Sequence, residues 1–598
     1  MKTLKQFTLS LFLLVNFIFC SCNKEEVLID DANSEIIINN EDFEKEINDA
    51  LANNNADHEE DSDYIWDTST VVKINLMQTN VEIVGEGASL NGTAITIEKS
   101  GNYLVTGTLD EGRLIVNTSD NGIVRVILNG AQITCSNSSP LFIRNSVKTI
   151  LILLEETNNI LTDSNIYTIQ DADSEPDAVI CSKDNLTIYG NGSLVVNSNY
   201  NDGIASKDGL IIKSGNIEIN SIDDGIRGKD YLEVKGGNVT INASGDGLKS
   251  DNDTDATKGF IYISKAGLNI KSGGDAISAQ TDVLISDGTI EIETAGGSSK
   301  IISESVSAKG IKGLVNLIID NGSFTINSAD DAIHTNGNLV LNGGTFDIQS
   351  GDDGMHADSV IYINGGNINI NKSYEGIESA NIQINSGNLF IISSDDGINI
   401  ASGTSVGGFP GQGGSQSNGN NYLYILGGNI KVYSQGDGID INGSVVMTNG
   451  SLIVHGPVAN DNSAVDYDGT YKISGGYLLA AGSSGMSQAP GSTSSQYSLL
   501  INFKSVLAAG TLVHLETSEG DEAFTFSPSK KFQSIAFSSS TLKNGSKYNL
   551  YTGGNSTGTE ADGLYNGGEY TSGVLYTSFT ISSITTKIGN AGFNPMGK

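Results

Sequence analysis

The sequence predicts an all-β fold in which a parallel β-helix, with about 22 residues per coil, makes up most of the chain. Two observations lead to this prediction. The composition is rich in Gly (72 residues) and poor in Pro (7 residues), with many Asn, Ser, Ile and Val and few helix-favouring residues. In addition, pairs of short apolar strands recur and end in an Asp-Gly-Ile phrase, and Asp202, Asp224 and Asp246 open three such phrases at intervals of 22 residues.

The repeat defines one anchor residue for each coil. The anchors are Asp202, Asp224, Asp246, Asp275, Asp331, Asp353, Glu375, Asp396 and Asp437, and Lys309 marks a degenerate coil. A period near 22 residues with alternation inside each unit excludes helical repeats and the nonapeptide calcium roll, and leucine-rich repeats would need Leu and Asn at fixed places. We therefore expect one coil per repeat, with three short strands in each coil.

The repeats place the solenoid at residues 156–485. The less regular strands of residues 64–155 predict a β-rich lead-in that caps one end, and residues 486–598 predict a small C-terminal β region, because terminal coils need a polar outer face. Apolar side chains of each coil should point inward; in one coil these are Leu210, Ile212, Ile217, Ile219 and Ile226. An asparagine ladder is expected along the axis, from Asn220, Asn242, Asn327 and Asn371.

Residues 1–22 are similar to a bacterial lipoprotein signal, in which Lys2 and Lys5 precede an apolar run too short for a stable membrane span. Cys22 is the residue expected to carry the lipid. Residues 23–63 are acidic and predict a disordered tether. We therefore expect an exported monomer that is lipid-anchored to the outer membrane, exposed at the cell surface, and in contact with the membrane through its lipid alone.

The charge balance is strongly acidic, since 33 Lys and Arg stand against 70 Asp and Glu and give a net charge of −37. Such a surface repels nucleic acid, which we exclude as a partner, and favours cations. Cys135 and Cys181 are the cysteines outside the leader. They are too few for a disulfide scaffold in a chain of this length and are interpreted as buried thiols.

The anchor carboxylates predict a calcium-binding column. Equivalent positions of successive coils lie about 4.8 Å apart, where like charges repel by roughly 3 kcal/mol at an effective dielectric constant near 20. Calcium, which takes six to eight oxygen ligands, would neutralise them. For any one anchor, the alternative that Asp-Gly only suits a tight turn stays open. The candidate calcium ligands are Asp202, Asp223, Asp224, Asp246, Asp251, Asp253, Asp255, Asp275, Asp330, Asp331, Asp352, Asp353, Asp395, Asp396 and Asp437.

The residue that follows the apolar position of each anchor phrase defines a second column, and its middle is basic. The candidate carbohydrate-binding residues of this column are Arg227, Lys249, Lys312, His334 and His356. A cationic stripe beside calcium could hold an acidic polysaccharide through paired carboxylates. The alternative is that these cations pair internally with the neighbouring acids.

Several phrases carry a resemblance to a known family, among them NYNDGIASKDGL, DDGIRGKDYL, SADDAIHTNG, GDGIDINGS and the tail phrase AGTLVHLETSEG. The chain resembles the bacterial carbohydrate-binding β-helix family that is related in fold to polysaccharide lyases, with a clostridial member that binds calcium, cellulose and polygalacturonate. The resemblance implies a right-handed β-helix, bound calcium and binding without established turnover. It assigns the calcium role to Asp202, Asp224, Asp246, Asp331, Asp353 and Asp396. Lys309 and Glu375 depart from the pattern.

We therefore expect a non-catalytic, calcium-dependent protein of the cell surface that binds a plant-type polysaccharide, either cellulose or an acidic pectin-like glycan. One alternative is a calcium-dependent pectate-lyase-like enzyme, in which Lys or Arg removes a proton. The residues available for that role are Lys207, Lys229, Lys249, Lys312 and Arg227. The other alternative is a surface adhesin or structural stalk.

Overall fold

The computed structural model describes residues 58–169, 175–303, 305–401, 421–571 and 573–589, all within one compact unit, residues 40–598. The expected leader with Cys22 and most of the expected tether lie outside the described residues. The described part contains 55 strands and two 3-10 helices, Asp61–Tyr64 and Thr68–Thr70, but no α-helix. None of its helices is long and apolar enough to cross a bilayer.

Parallel pairing between successive coils organises most of the chain. In the regular coils each strand pairs with the strand three positions later, so each coil contributes to three sheets that run along the solenoid. Ile204 pairs with Ile226, and Leu210 pairs with Leu232, in both cases 22 residues further on. The hydrogen-bonded network contains 47 strands. The predicted all-β fold with a large, mostly parallel sheet is confirmed.

The first sheet, here called the anchor sheet, carries the Asp-Gly-Ile phrases. With strands numbered along the chain, it consists of β3 (Ala88–Asn91), β4 (Ala94–Ile97), β6 (Arg113–Asn117), β8 (Leu141–Asn145), β11 (Ala178–Ser182), β14 (Asp202–Ser206), β17 (Ile226–Gly228), β20 (Leu248–Ser250), β23 (Ile277–Ala279), β26 (Ile311–Gly313), β29 (Ile333–Thr335), β32 (Met355–Ile363), β34 (Ile377–Ile384), β36 (Ile398–Ile400), β39 (Ile439–Ile441) and β42 (Asp466–Tyr467). The strands β32 and β34 are long enough to continue into the second sheet.

The second sheet follows the anchor sheet along each coil. It consists of β1 (Val71–Gln78), β2 (Asn80–Val84), β5 (Gly101–Leu109), β7 (Val124–Thr134), β9 (Thr149–Leu153), β12 (Leu186–Gly190), β15 (Gly209–Ile212), β18 (Tyr231–Val234), β21 (Phe260–Ile263), β24 (Val283–Ile285), β27 (Asn316–Ile319), β30 (Asn338–Leu341), β37 (Tyr422–Ile425), β40 (Ser444–Met447) and β43 (Tyr471–Ile473). Parallel pairing is already present between β1 and β5 and between β5 and β7, in the segment expected to form the lead-in.

The third sheet completes each coil. It consists of β10 (Asn158–Thr162), β13 (Ser193–Asn197), β16 (Asn216–Ser221), β19 (Asn238–Ala243), β22 (Ala266–Ser272), β25 (Gly288–Thr294), β28 (Ser323–Ser328), β31 (Thr345–Ser350), β33 (Asn367–Lys372), β35 (Asn388–Ile392), β38 (Asn429–Tyr433), β41 (Ser451–His455) and β44 (Tyr477–Gly482). Side chains alternate between the core and the outer face along these strands, as in β16 and β19.

Mostly antiparallel strands follow the last coil, in the segment expected to form a C-terminal β region. They are β45 (Ser498–Leu507), β46 (Val513–Thr517), β47 (Glu522–Phe526), β48 (Phe532–Ser538), β49 (Lys547–Thr552), β50 (Asn555–Ser556), β51 (Thr559–Ala561), β52 (Leu564–Asn566), β53 (Tyr570–Thr571), β54 (Val574–Thr580) and β55 (Thr585–Ile588). The strand β48 pairs with β44 and extends the third sheet, while six other strands form a separate sheet. The pairing of β48 with β44 covers the open edge of the third sheet at the last coil.

The core of the solenoid is a continuous column of aliphatic side chains. The side chains predicted to point inward, Leu210, Ile212, Ile217, Ile219 and Ile226, are all at most 2% exposed and belong to one cluster. Burying each contributes roughly 1.5 to 3 kcal/mol before chain entropy is subtracted. The inward pattern predicted from the repeats is confirmed.

The predicted asparagine ladder is present in part. The amide of Asn220 donates to Asn197 at 3.1 Å and that of Asn242 donates to Asn220 at 3.0 Å. Asn327 instead accepts the backbone N–H of Ser298 at 2.8 Å, because an insertion between two coils folds against it. Asn371 donates to Asp347 at 2.6 Å rather than to an asparagine, at a register shift between the strands. The predicted ladder is therefore present at Asn220 and Asn242 but not at Asn327 or Asn371.

The last residues of the expected tether, 58–63, lie against the second sheet. The ring of His58 stacks on Tyr231 with centroids 3.9 Å apart. The carboxylate of Glu59 lies 3.0 Å from the ammonium of Lys213 and 2.7 Å from that of Lys235. Acidic residues at this end of the segment are thus held by cations of the solenoid.

Both cysteines within the described residues are buried free thiols, as expected. Burial raises the pKa of Cys135 and that of Cys181 above the usual thiol value. They are therefore part of the packed interior rather than reactive groups.

Replacement of a stacked core ring tests the continuity of the core. Phe346 and Phe324 are fully buried in adjacent coils, with centroids 4.6 Å apart and ring planes within 5° of each other. Phe346→Ala should lower the free energy of unfolding by about 3–5 kcal/mol because it leaves a cavity. Urea denaturation followed by circular dichroism measures this loss. Thr345→Ala, at an exposed neighbouring position, should change little, and equal losses in both variants would contradict the packing.

Candidate functional site

The anchor aspartates form a ladder with the backbone. In five pairs of aspartates, the backbone N–H of an anchor donates to the Oδ1 atom of the anchor one coil earlier. The N···O distances are 3.2 Å for Asp224 to Asp202, 2.8 Å for Asp246 to Asp224, 2.8 Å for Asp275 to Asp246, 3.0 Å for Asp353 to Asp331 and 2.6 Å for Asp437 to Asp396. The N–H of Asp331 instead bonds to Oδ1 of Asp330 at 2.9 Å. One oxygen of each carboxylate is therefore committed to holding neighbouring coils together. The other oxygen, Oδ2, is the one available to a cation.

The second column predicted from the sequence is present as a row of paired neighbours on the anchor sheet. In register, Ala205, Arg227, Lys249, Ser278, Lys312, His334, His356, Glu378, Asn399, Asp440 and Asp466 follow one another from coil to coil. Its middle is basic, and its C-terminal end is acidic.

The basic side chains of this row contact the anchor carboxylates. The ammonium of Lys249 lies 3.0 Å from Oδ2 of Asp224 and 3.0 Å from Oδ2 of Asp246, and that of Lys312 lies 3.0 Å from Oδ2 of Asp275. Burial alone would lower the pKa of Lys249, but its two aspartate partners raise that pKa above the usual value. Internal pairing, the alternative that the sequence left open, is the arrangement found.

The histidines behave in the same way. Nδ1 of His334 lies 2.8 Å from Oδ2 of Asp331, and Nδ1 of His356 lies 3.2 Å from Oδ2 of Asp353. Burial opposes protonation of His356, but hydrogen bonds to Asp353 and Glu378 outweigh it and raise its pKa to about 11. The two imidazole rings lie in adjacent coils and stack with centroids 4.9 Å apart.

Lys309, which marks the degenerate coil, has a role that the repeat pattern did not reveal. Its ammonium lies 2.9 Å from Oδ1 of Asp330 and 2.7 Å from Oδ2 of Asp331. Asp331 is buried, which by itself raises its pKa, yet its bonds from His334 and Lys309 hold that pKa below the usual range. A cation at the anchor position thus neutralises the acids of the next coil.

The acidic loop Asp251, Asp253 and Asp255 lies apart from the column of carboxylates. Asp251 accepts hydrogen bonds from Arg227 at 2.7 Å and 3.0 Å. The guanidinium of Arg227 lies 4.0 Å from Oδ2 of Asp202. Asp253 and Asp255 are exposed, and Asp255 accepts from Thr257. The loop therefore orients an arginine rather than assembling its three acids into one group.

Carboxylates converge at five places within the described residues. The groups, each with one ligand atom per residue within 4.8 Å of the others, are Asp202, Asp223 and Asp224; Asp330, Asp331 and Asp352; Asp353, His356 and Glu378; Asp396, Asp437 and Asp440; and Glu175, Asp177 and Cys181. Lysine, arginine or histidine side chains lie beside four of these groups. The group at Asp396, Asp437 and Asp440, here called the C-terminal carboxylate group, has no ion pair with a cation in the part of the chain that is described.

The C-terminal carboxylate group is unstable as three free anions. Burial, with the charge of Asp440, raises the pKa of Asp396 to about 7. Burial and the neighbouring carboxylates raise the pKa of Asp437 to about 8 and that of Asp440 to about 6. These shifts express the cost of placing like charges together out of water.

An unsatisfied amide oxygen lies one coil before Asp440 in the row on the anchor sheet. Asn399 precedes Asp440 in the register of the row, and its Nδ2 donates to Glu375 at 2.7 Å. Its Oδ1 is buried and has no hydrogen-bond partner among the described residues. Three carboxylates and an unsatisfied amide oxygen are a donor set that suits a hard cation. Asp440 and Asn399 were not among the residues proposed from the sequence, although both occupy the row that it defined.

The group of Asp202, Asp223 and Asp224 is also acidic, but cationic side chains lie beside it. Burial, followed by the charge of Asp224, raises the pKa of Asp202 to about 8. Lys249 and Arg227 lie at its edge. In the group of Asp330, Asp331 and Asp352, burial and the charge of Asp331 raise the pKa of Asp352 to about 6. The five candidate carbohydrate-binding cations are therefore engaged with acids, and the candidate calcium ligands differ in how far they are neutralised.

Comparison with known proteins finds a family whose sequence model matches part of this chain. Residues 91–354 match the sequence model of a family described as carbohydrate-binding domain-containing protein. A carbohydrate-binding domain-containing protein of Acetivibrio thermocellus is 35% identical over 137 residues, 23% of this chain, and the chain spans about half of that relative, 48% of its length. The middle of this chain is thus similar in sequence to carbohydrate-binding domains.

One solved structure is also similar. It is a gadolinium derivative of the polysaccharide lyase-like protein from C. thermocellum, which is 32% identical and matches 38% of this chain and 92% of that chain with a TM-score of 0.37. The strand pairing of this chain itself defines its fold.

Removal of Lys249 tests the neutralisation of the column. Lys249→Gln should lower the free energy of unfolding by about 1–3 kcal/mol, because Asp224 and Asp246 keep their buried oxygens without a partner. The matched control is Lys271→Gln, which changes an exposed lysine of the third sheet. Thermal and urea unfolding of the three proteins measure the effect. A loss no larger in Lys249→Gln than in the control would show that the pairing contributes nothing.

The C-terminal carboxylate group predicts a pH dependence. Because the folded-state pKa values of Asp396, Asp437 and Asp440 lie above the ordinary value of 3.8, the folded protein binds more protons than the unfolded chain. The stability that these bound protons contribute is fully present below pH 4 and is lost as the pH rises to about 8. In EDTA, the melting temperature should fall between pH 5 and pH 8, and the triple Asp→Asn variant should show a smaller fall. The same slope in both proteins would contradict this origin.

Proposed function

We propose that the chain is a non-catalytic, calcium-dependent carbohydrate-binding protein built on a right-handed parallel β-helix. The similarity of residues 91–354 to carbohydrate-binding domains supports the carbohydrate. The C-terminal carboxylate group supports the calcium. Among the described residues, this group combines converging carboxylates, an unsatisfied buried amide oxygen and no paired cation.

The donor set fits calcium better than softer metals. Asp396, Asp437, Asp440 and Asn399 offer oxygen atoms, and calcium takes six to eight oxygens from carboxylates, amides, carbonyls and water. Oδ1 of Asp396 and that of Asp437 are already used by backbone N–H groups of the next coil. Each of these two anchors would therefore contribute Oδ2. A bound calcium would supply the positive charge that Lys249 and Lys309 supply elsewhere in the column.

The proposed glycan is an acidic, pectin-like polymer held through calcium. With a net charge of −37 the protein repels polyanions unless a cation intervenes. The basic side chains first considered for this role are already paired with acids. Calcium that retains open coordination positions can bridge protein carboxylates to uronate carboxylates, so ion and ligand are proposed to bind together.

The pairing also argues against four of the five side chains that the lyase alternative offered as base, all except Lys229. A base that abstracts a proton must be able to give up its own, and neighbouring acids hold the pKa of Lys207, that of Arg227 and that of Lys249 above their usual values. Lys312 is ion-paired with Asp275. We therefore favour binding over catalysis. A stalk without a glycan ligand is the remaining alternative, and absence of binding on a glycan array with and without calcium would favour it.

We also propose that Cys22 carries a lipid and that the protein is anchored at the outer membrane with its solenoid at the cell surface. The charged and apolar pattern of residues 1–22 and the acidic stretch that follows support this. These residues lie outside the described part of the chain. Polysaccharide would then be captured close to the cell.

Substitution of Asp440 tests the calcium site. The protein should be retained on insoluble polygalacturonate in calcium and released by EDTA, and calcium should raise its melting temperature because it binds the native state. Asp440→Asn should weaken the calcium affinity by about tenfold or more, since it removes a charge without removing the side-chain shape.

Asp347→Asn is the matched control, because Asp347 is an exposed acid of the third sheet. It should bind as the parent does. Retention of the parent that is indifferent to calcium, or the same change in both variants, would refute the proposed site.

A further inference from the structure

A groove lies on the outer face of the third sheet near the end of the solenoid, away from the anchor sheet. The hairpin of β51 and β52 overhangs this face. The space between them has a volume of about 630 Å³, with Asn369, Phe390, Lys431 and Asp562 in its lining. All of these residues come after residue 354, beyond the segment that matches the carbohydrate-binding family.

A row of side-chain amides forms one wall of the groove. The amide of Asn388 donates to Asn367 at 2.9 Å, and that of Asn429 donates to Asn388 at 2.9 Å. All three side chains are exposed. A side-chain amide has two N–H donors, and the row uses one donor of Asn388 and one of Asn429, so the second donor of each remains for a ligand. The row therefore offers repeated, evenly spaced donors along the solenoid axis.

The groove continues past this row over a floor of glycine backbone. A further 520 Å³ adjoins it and shares Asn367, Asn388 and Asn429 with it. Gly366, Gly387 and Gly428 precede the three asparagines with φ of 96°, 106° and 83°. Only glycine adopts this backbone without strain. The absence of side chains here leaves the peptide groups of the turns accessible to hydroxyl groups.

An aromatic ring lies on the opposite side of the amide row. Phe390 is half-buried and its centroid lies 5.3 Å from that of Tyr433, which stacks on His455 at 4.4 Å. The ring is therefore held in place before any ligand binds. A fixed apolar ring suits the C–H face of a sugar.

The charges in the groove cancel. The ammonium of Lys431 forms an ion pair with the carboxylate of Asp562, and the hydroxyl of Tyr433 donates to the same carboxylate at 3.3 Å. No net charge selects an anionic ligand, while both charged groups can still bond to hydroxyls.

We propose that this groove is a second glycan-binding site, which takes a neutral oligosaccharide without calcium. Hydroxyl groups of the sugar bond to the amide row and to the Lys431–Asp562 pair, and a sugar ring packs on Phe390. The site is separate from the C-terminal carboxylate group and does not depend on the calcium proposed there.

Isothermal titration of the whole protein in EDTA tests the site, with the β-1,4-linked hexasaccharides of glucose, xylose and mannose as probes. At least one of these should bind, and Phe390→Ala and Asn388→Ala should each weaken its binding about tenfold. Asn238→Ala is the matched control, because Asn238 donates to Asn216 in the same kind of ladder far from the groove. It should bind as the parent does, and melting temperatures confirm that each variant is folded.

Two outcomes would overturn the proposal: none of the three probes binds the parent protein, or one binds equally well to Phe390→Ala and Asn388→Ala. Asp440→Asn separates the two sites. It should leave binding of the neutral probe unchanged while it weakens retention on polygalacturonate in calcium.

Discussion

The hydrogen bond that most anchors donate from their backbone N–H to the aspartate one coil earlier is the interaction on which the other features depend. It exists because parallel coils repeat the same path, so that residues 22 positions apart become neighbours. A buried N–H without an acceptor would cost free energy, and the carboxylate Oδ1 supplies that acceptor. The bond thereby places a line of carboxylates at one corner of the solenoid. These charges must be neutralised by neighbouring side chains or by a bound cation.

Neutralisation is achieved differently along the column. In the middle, Lys249, Lys309 and His356 place positive charge against the remaining carboxylate oxygens. Near the last coil the row that supplies those cations holds Asn399 and Asp440 instead. The same geometry that is self-sufficient in the middle is therefore incomplete at the end, where the raised pKa values of the aspartates record the unbalanced charge. This gradient is the basis of the proposed division between a structural part and a ligand-binding part.

The two proposed glycan sites lie on different sheets of the solenoid. The anchor sheet concentrates charge and suits a ligand bridged by a cation. The third sheet presents amides such as Asn388, glycine turns and an aromatic ring, and in the groove Lys431 is neutralised by Asp562. A solenoid can carry both because each corner of the coil is repeated independently of the others. Extended polymers match such surfaces, since both repeat along one direction.

The sequence by itself determined the spacing of the paired strands, the strand alternation, the inward side chains and the two columns on the anchor sheet, because these follow from a period that any parallel stacking converts into registry. It did not determine which acids Lys249 and Lys309 neutralise, since that depends on how far a flexible side chain reaches between coils. Nor could it reveal the groove, which forms where Asp562 pairs with Lys431 and accepts a hydrogen bond from Tyr433, 129 residues earlier in the chain. Contacts between segments that do not share the repeat are decided only by the tertiary structure, because no local sequence pattern specifies them.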